Sequence, residues 1–160
     1  MGDGTLALEQ RASALMASLG RLLSARPFTF TSAEVPDRPG IYVIYDGGGC
    51  PCYVGQSRNL RRRLLVDHQK GNGKSSIFRR KLSLIKRFET EVAVTFYIRE
   101  ECAFRFLELE SERERRELEH FATALLSPVL NCLAADTISH IFSGRACSDA
   151  CQANHTLSRR

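Results

Sequence analysis

Three short blocks in the middle of the chain carry residue types suited to chemistry on phosphates. The first is Gly-Ile-Tyr at 40–42, followed after ten residues by Tyr-Val-Gly at 53–55. The second, QSRNLRRR at 56–63, is rich in arginine, and the third, LEHFATALLSPVLN at 118–131, combines a glutamate with a proline and an asparagine. Arginine binds phosphate through parallel N–H donors, and a carboxylate binds hard cations such as Mg²⁺. The blocks therefore suit a reaction on a phosphate-bearing substrate.

These blocks resemble the signature of the GIY-YIG nuclease family, with Val54 in place of the second isoleucine. Residues 56–63 are similar to the family's continuation, (K/S)-x-x-N-L-x-x-R. Residues 118–131 resemble its closing motif, a helical Glu followed by Pro and Asn. A single tripeptide is weak evidence, but three blocks in family order and spacing are specific. The resemblance spans about residues 39–131. It implies a metal-dependent endonuclease that hydrolyses phosphodiester bonds in DNA.

The resemblance also implies a role for each residue of the site. Glu119, twelve residues before Asn131, is the implied ligand of one divalent metal, Mg²⁺ or Mn²⁺. Tyr42 and Tyr53 flank the scissile phosphate, Arg63 holds it, and Asn131 fixes the site from outside. One carboxylate suffices for Mg²⁺ when water and substrate phosphate complete its shell.

The attacking water also needs a group that accepts its proton. Tyrosine has a pKa of about 10, but a nearby cation and a metal favour its phenolate. Tyr42 is therefore our candidate for accepting or relaying the proton, and the choice between Tyr42 and Tyr53 stays open.

Each of these residues has a plainer explanation when it is considered alone. Tyr42 in a strand is usually a packing residue, and Arg63 is one basic residue on a solvated helix. Glu119 has an i,i+4 partner in Arg115, and Asn131 follows a helix end. At the level of function, the alternatives are a catalytically inactive nucleic-acid-binding domain of the same fold and a protein-interaction scaffold. The joint order and spacing of the residues favour the nuclease.

One position departs from the family pattern. Many members carry His or Tyr four residues after the motif arginine, whereas position 67 here is Asp and His68 comes one residue later. In an α-helix, i+5 lies about 100° beyond i+4, so His68 reaches the site only if the helix ends or loosens near Asp67. We expect His68 to participate. Glu117 is the alternative metal ligand, and about 200° separates it from Glu119 on a helix.

The basic residues are concentrated in one segment. Residues 56–87 contain eleven basic residues against one acidic residue, whereas residues 99–119 contain eight Glu against five Arg. A basic segment attracts nucleic acid, although a solvated helical surface is the alternative. Because no known DNA-reading module is recognisable, we expect low specificity, recognition of DNA structure, or a partner protein that supplies specificity. The residues expected to bind DNA are Arg58, Arg61, Arg62, Lys74, Arg79, Arg80 and Lys81.

Residue periodicity predicts the elements that position the site. We expect a helix over 6–25 and a β-hairpin from 41–45 and 52–54 around a glycine-rich turn. A short helix over 59–67 and a helix over 77–88, capped by Ser75 or Ser76, follow. A strand over 91–99 and a long helix over 105–126 complete the order. The class is α+β, with a small three-stranded antiparallel sheet flanked by helices and an added N-terminal helix.

The chain divides into three predicted segments: an N-terminal helix and linker at 1–35, the nuclease domain at 36–135, and a polar, cysteine-containing tail at 136–160. Cys147, Cys151 and His155 share one helix face if a helix exists there, but the loose spacing favours spare thiols over zinc. With no signal peptide and no long apolar run, we expect a cytoplasmic protein without membrane association.

Overall fold

The computed structural model describes residues 3–31 and 34–132 of the chain. The predicted tail at 136–160, with its cysteines and His155, lies outside these residues. The helices are α1 (Asp3–Ser24), a π-helix (Arg62–His68), α2 (Ile77–Lys86), α3 (Glu91–Glu101), α4 (Glu112–Leu126) and α5 (Val129–Cys132). The strands are β1 (Phe28–Thr29), β2 (Gly40–Tyr45), β3 (Pro51–Ser57) and β4 (Ala103–Glu108). None of the helices in the described ranges is both long and apolar enough to cross a bilayer.

The strands form one antiparallel sheet in the order β1-β4-β2-β3. The predicted α+β class, with three antiparallel strands flanked by helices and an added N-terminal helix, is confirmed. The two-residue strand β1 adds a short edge beside β4. β2 lies in the middle, where Tyr42 faces Gly55 of β3 on one side and Phe106 of β4 on the other.

Side chains alternate between the two faces of β2, and each face has its own core. Ile41 and Val43 pack with Leu22 of α1 and Leu118 of α4. Because strand side chains alternate with a period of two, Tyr42 and Ile44 point to the opposite face. That second core also contains apolar residues of the π-helix, α2, α3 and α5, among them Leu64, Phe78, Ile98 and Leu130.

The strand predicted over 91–99 is wrong, because this segment is the helix α3 (Glu91–Glu101). The alternation of apolar residues suggested a period of two, but only Val94 and Ile98 are buried. They are four residues apart, as one helix face requires. Val92 and Phe96 are 79% and 66% exposed. Thr90 caps the helix by accepting a hydrogen bond from the backbone N–H of Ala93.

The third long strand is β4 (Ala103–Glu108), and its residues 105–108 lie within the helix predicted over 105–126. That helix begins at Glu112, where the Ser111 hydroxyl accepts from the N–H of Glu114. It ends at Leu126, and Ser127 takes a left-handed conformation before Pro128. The predicted helix was therefore correct in its body but began about two turns too early.

Candidate active site

The helix that follows β3 is wider than an α-helix in the turn that carries Asp67 and His68. Residues Arg62–His68 form a π-helix, and the N–H of Gln69 donates to the carbonyl of Leu64, five residues back, at 3.1 Å. A π-helical turn holds one more residue than an α-helical turn. His68 is therefore turned into the core, while Asp67 pairs with Arg63 at 3.3 Å.

His68 links β2 to the start of α2 through its two ring nitrogens. Its Nε2 lies 2.7 Å from the hydroxyl of Tyr42, and its Nδ1 lies 2.7 Å from the hydroxyl of Ser76. The imidazole is 2% exposed. Burial, followed by the positive charges of Arg63 and Arg79, lowers the pKa of His68 to about 3. The ring is consequently neutral at neutral pH.

Tyr42 and Tyr53 lie side by side on the two strands of the hairpin, with ring centroids 6.4 Å apart. Burial raises the pKa of Tyr42 well above its usual value, and the charges of Tyr53 and Glu119 add to the rise. Burial and the charge of Glu119 also raise the pKa of Tyr53. Arg63 lowers both pKa values, as expected of a cation, but burial outweighs it.

Gly55 allows the two tyrosines to come together. A Cβ atom at this position would lie 2.4 Å from the Tyr42 hydroxyl oxygen and 3.0 Å from Cε1 of Tyr53. Neither ring can move easily, because each packs against His68. The glycine of the Tyr-Val-Gly block is thus required for space beside the tyrosine of the Gly-Ile-Tyr block.

Glu119 of α4 is within electrostatic range of the same tyrosines, because its charge raises the pKa of both. Burial raises the pKa of the Glu119 carboxyl, although His120 and Arg116 oppose the rise. No ion pair to Glu119 is present within the described part of the chain. The suggested i,i+4 partner, Arg115, instead donates to backbone carbonyls and to a glutamine.

Glu117, the alternative metal ligand, is engaged elsewhere. Its carboxylate accepts from Arg113 at 2.8 Å and forms an ion pair with Arg11 of α1. It therefore faces α1 and not the tyrosines. Glu112, one and a half turns earlier, is paired with Arg58 at 3.0 Å. Of these three glutamates on α4, Glu119 is the one that forms no ion pair with another described residue.

Asn131 holds the edge of the sheet beside the site. Its Oδ1 accepts from the backbone N–H of Val54 at 2.7 Å, and its Nδ2 donates to the backbone carbonyl of Val54 at 2.8 Å. β3 is the outer strand, so these backbone groups have no neighbouring strand to pair with. Asn131 occupies that place and fixes the residue next to Tyr53. Its contact is with the backbone, which makes it a positioning residue.

The expected DNA-binding residues divide into an exposed group and one buried exception. Arg58, Arg61, Arg62, Lys74 and Arg80 are exposed, and Lys81 is partly so. A groove of about 400 Å³ runs beside Arg63, and its walls include the side chains of Arg58, Asn59 and Arg62. Arg58, Arg62 and Arg63 line this groove together with the acidic residues Asp67 and Glu112.

The inclusion of Arg79 among the DNA-binding residues is wrong. Arg79 is 1% exposed, and its guanidinium donates to the carbonyls of His68 and Gln69 at 2.9 and 3.0 Å. It also donates to the Glu91 carboxylate at 2.7 Å and to the Thr95 hydroxyl at 2.9 Å. With its donors turned inward, Arg79 joins the end of the π-helix to α3. The arginine-rich sequence concealed this role because Arg80 and Lys81 follow directly.

Comparison with known proteins identifies the class. The sequence profile of the GIY-YIG catalytic domain matches residues 38–121, slightly more than half of the 160-residue chain. The chain is 32% identical over 108 residues to UvrABC system protein C of Klebsiella pneumoniae (strain 342), an alignment that covers 68% of this chain. It is 31% identical over 124 residues to UvrABC system protein C of Salmonella heidelberg, which covers 78% of this chain. The chain therefore belongs to the GIY-YIG nuclease family.

The relatives are much longer than this chain. The aligned regions span 15% of the Klebsiella protein and 17% of the Salmonella protein. Among solved structures, the GIY-YIG N-terminal endonuclease domain of UvrC from Thermotoga maritima, bound to magnesium, is 22% identical. That comparison covers 61% of this chain and 88% of the Thermotoga domain, with a TM-score of 0.37.

Proposed function

We propose that this chain is a metal-dependent endonuclease that hydrolyses phosphodiester bonds in DNA. The catalytic residues of this proposal are Tyr42, Tyr53, Arg63, His68 and Glu119. The observation that carries it is the position of Glu119, a half-buried carboxylate with no cation partner whose charge acts on both tyrosines. A carboxylate, an arginine and two hydroxyls that converge from separate elements are the groups that phosphoryl transfer requires.

The residues present fit one divalent cation. Burial disfavours the charged form of Glu119, and a cation beside the carboxylate would remove that penalty. No group of three or more His, Cys, Asp or Glu side chains suited to a metal occurs among the described residues. Glu119 would therefore hold the ion together with water and substrate phosphate, a set of ligands that Mg²⁺ and Mn²⁺ accept. When bound, the ion supplies a Lewis acid for the developing charge.

Arg63 would bind the scissile phosphate. Its side chain is 37% exposed, so the guanidinium can reach a substrate, and Asp67 fixes it at 3.3 Å. A guanidinium presents two parallel donors to phosphate oxygens, which a point charge does not. Tyr42 and Tyr53 lie next to it and would contact the attacking water and the leaving oxygen. The hydrogen bond between Tyr42 and His68 supports Tyr42 as the hydroxyl that would serve the water.

The exposed basic residues would bind the DNA strands on either side of the cut. Arg58, Arg61 and Arg62 follow the hairpin, and Lys74 and Arg80 lie beyond the π-helix. Contacts of this kind go to the DNA backbone and carry no sequence information. Specificity would then depend on DNA structure or on a partner protein.

The test is cleavage of a panel of duplex, nicked, flapped and branched DNA by the purified chain, titrated with Mg²⁺. Cleavage that rises with Mg²⁺ and stops with a chelator is the expected result. A chain that binds DNA tightly but cuts none of the panel with Mg²⁺ or Mn²⁺ would identify it as the inactive binding domain of the same fold.

A further inference from the structure

Ser76, His68 and Tyr42 form a continuous hydrogen-bonded chain inside the protein. The Ser76 hydroxyl and the Tyr42 hydroxyl each lie 2.7 Å from one of the two ring nitrogens of His68. All three side chains are nearly inaccessible, at 0%, 2% and 2% exposure for Ser76, His68 and Tyr42. Bulk water therefore does not substitute for these partners.

The neutral imidazole of His68 carries one N–H, so the chain has a direction. If the proton is on Nε2, Ser76 donates to Nδ1 and His68 donates to the Tyr42 oxygen. If the proton is on Nδ1, His68 donates to Ser76, and Tyr42 donates to Nε2. Two hydroxyl hydrogens and one ring hydrogen serve two contacts. One hydroxyl hydrogen is thus left over, at the Tyr42 end in the first arrangement and at the Ser76 end in the second.

The surroundings of Ser76 offer no place for the extra hydrogen. Its oxygen caps α2 by accepting from the backbone N–H of Arg79 at 3.2 Å. Within the described part of the chain, the one acceptor bonded to the Ser76 hydroxyl is His68 Nδ1. A buried hydroxyl hydrogen without an acceptor destabilises the folded state. The second arrangement incurs this cost in the core.

The Tyr42 end is different, because Tyr42 lies beside the partly exposed Tyr53, with ring centroids 6.4 Å apart. The charges of Arg63 and Glu119 also act on Tyr42, and both of these side chains are only half-buried. A substrate oxygen or an ordered water held in the proposed site would accept the Tyr42 hydrogen. The first arrangement is therefore favoured.

We propose that Ser76 is a positioning residue that holds His68 in the Nε2–H tautomer, so that His68 donates a hydrogen bond to Tyr42. Ser76 reaches no substrate and acts through the histidine. In this arrangement Tyr42 can pass its own hydrogen to an oxygen at the site, and the His68 N–H stabilises the phenolate that remains until the proton of the attacking water replaces that hydrogen. The catalytic consequence rests on the proposed function, whereas the tautomer requires only that an ordered water or another acceptor reaches the Tyr42 hydroxyl.

The tautomer is measured directly in the ¹⁵N-labelled full chain. Two-bond ¹H–¹⁵N correlation spectra at pH 8 distinguish a protonated from an unprotonated ring nitrogen, and the His68→Gln variant identifies the His68 signals. The expected result is a proton on Nε2 in the wild type and in Ser76→Thr, which keeps the hydroxyl. A wild-type His68 with its proton on Nδ1 would overturn the proposal.

Ser76→Asp tests the cause of the preference. An aspartate can still cap α2, but its carboxylate only accepts, so it should draw the His68 proton to Nδ1. The matched control is Ser111→Asp, which makes the same change at the cap of α4, where no histidine contacts the serine. An unchanged tautomer in a folded Ser76→Asp variant would contradict the role of Ser76.

The functional arm uses single-turnover DNA cleavage by the same variants. Ser76→Asp removes the donor to Tyr42 and should slow cleavage on the order of a hundredfold. In a Tyr42→Phe background it should add nothing. A chain that cuts no DNA but shows the expected tautomers would sink the proposed function while leaving the role of Ser76 intact. Full activity in a Ser76→Asp variant with a reversed tautomer would sink the catalytic part of the inference.

Discussion

At the scale of the residue, Arg63 differs from its chemically identical neighbours by its position. Its charge opposes the rise in the pKa of Tyr42 and Tyr53 and helps to lower the pKa of His68. Arg61 and Arg62, two residues and one residue earlier, are exposed. If the three arginines only attracted DNA by their charge, they would be interchangeable. In the proposed site, only Arg63 binds the scissile phosphate.

Arg63→Lys should therefore slow cleavage far more than the same change at its neighbours. The lysine keeps the charge but loses the paired donors, and the expected loss is roughly 2–4 kcal/mol of transition-state stabilisation. Arg61→Lys and Arg62→Lys serve as matched controls and should be nearly silent. Single-turnover rates at saturating enzyme measure the difference. Equal rates in all three variants would show that the cluster only holds DNA.

The buried, neutral His68 makes a specific prediction about stability and pH. Its pKa is about 3 in the folded chain, well below the usual value of about 6.5 that applies when the chain is unfolded. Because the folded pKa is lowered, this contribution to stability is complete above about pH 6.5 and is lost as the pH falls from there toward 3. The limiting slope is about 1.4 kcal/mol per pH unit.

Urea unfolding at several pH values measures this slope. Between pH 6 and pH 4.5, the free energy of unfolding should fall more steeply in the wild type than in His68→Gln. His120→Gln, which changes an exposed histidine, should follow the wild type. Parallel curves for the wild type and His68→Gln would mean that His68 is not held neutral in the folded chain.

At the scale of the element, the sequence predicted the hairpin and the helices that carry the motifs. Gly-rich turn chemistry between two β-prone runs marks a hairpin wherever it occurs, so β2 and β3 were predictable. The sequence left two arrangements open near Asp67, and only a helix that ends or loosens there allows His68 to reach the site. The π-turn places His68 against Tyr42, 26 residues away, and against Ser76, eight residues away, and local periodicity does not reveal these contacts.

The segment from Glu91 to Glu108 was beyond prediction from local pattern. Val92, Val94, Phe96 and Ile98 have β-prone side chains in alternation, yet Glu91–Glu101 is helical, and of these four residues only Val94 and Ile98 join the apolar core. Intrinsic preference for a strand is weak compared with such tertiary packing. The same limit applies to Arg79, whose partners lie on two separate elements, the end of the π-helix and α3.

Arg79 and Arg80 should respond to alanine in opposite ways. Arg79→Ala leaves the carbonyls of His68 and Gln69 without donors, so it should destabilise the fold by on the order of 3 kcal/mol. Arg80→Ala should change stability by less than about 0.5 kcal/mol. It should instead reduce the slope of log K against log salt for duplex DNA by about 0.9 if it contacts a phosphate. Urea unfolding and binding titrations at several salt concentrations test both parts. Comparable stabilities of the two variants would contradict the buried role of Arg79.

Across the molecule as a whole, the residues of the proposed site come from four separate elements. Tyr42 comes from β2, Tyr53 from β3, Arg63 from the π-helix and Glu119 from α4. The small sheet holds the first two, and α1 packs against the α4 side of the same sheet. The chain also spans only 15–17% of the length of its two relatives.

We propose that Glu119 holds the metal ion that DNA cleavage requires. Replacing this one side chain should therefore abolish cleavage and leave DNA binding intact. Single-turnover cleavage is compared for the wild type, Glu119→Ala and Glu117→Ala over a Mg²⁺ titration, with DNA binding measured in parallel. Glu117, half a turn away, is the matched control because it pairs with Arg113 and Arg11. We predict no cleavage by Glu119→Ala at any Mg²⁺ concentration, retained DNA binding, and a near wild-type rate for Glu117→Ala. Normal cleavage by Glu119→Ala would contradict the account.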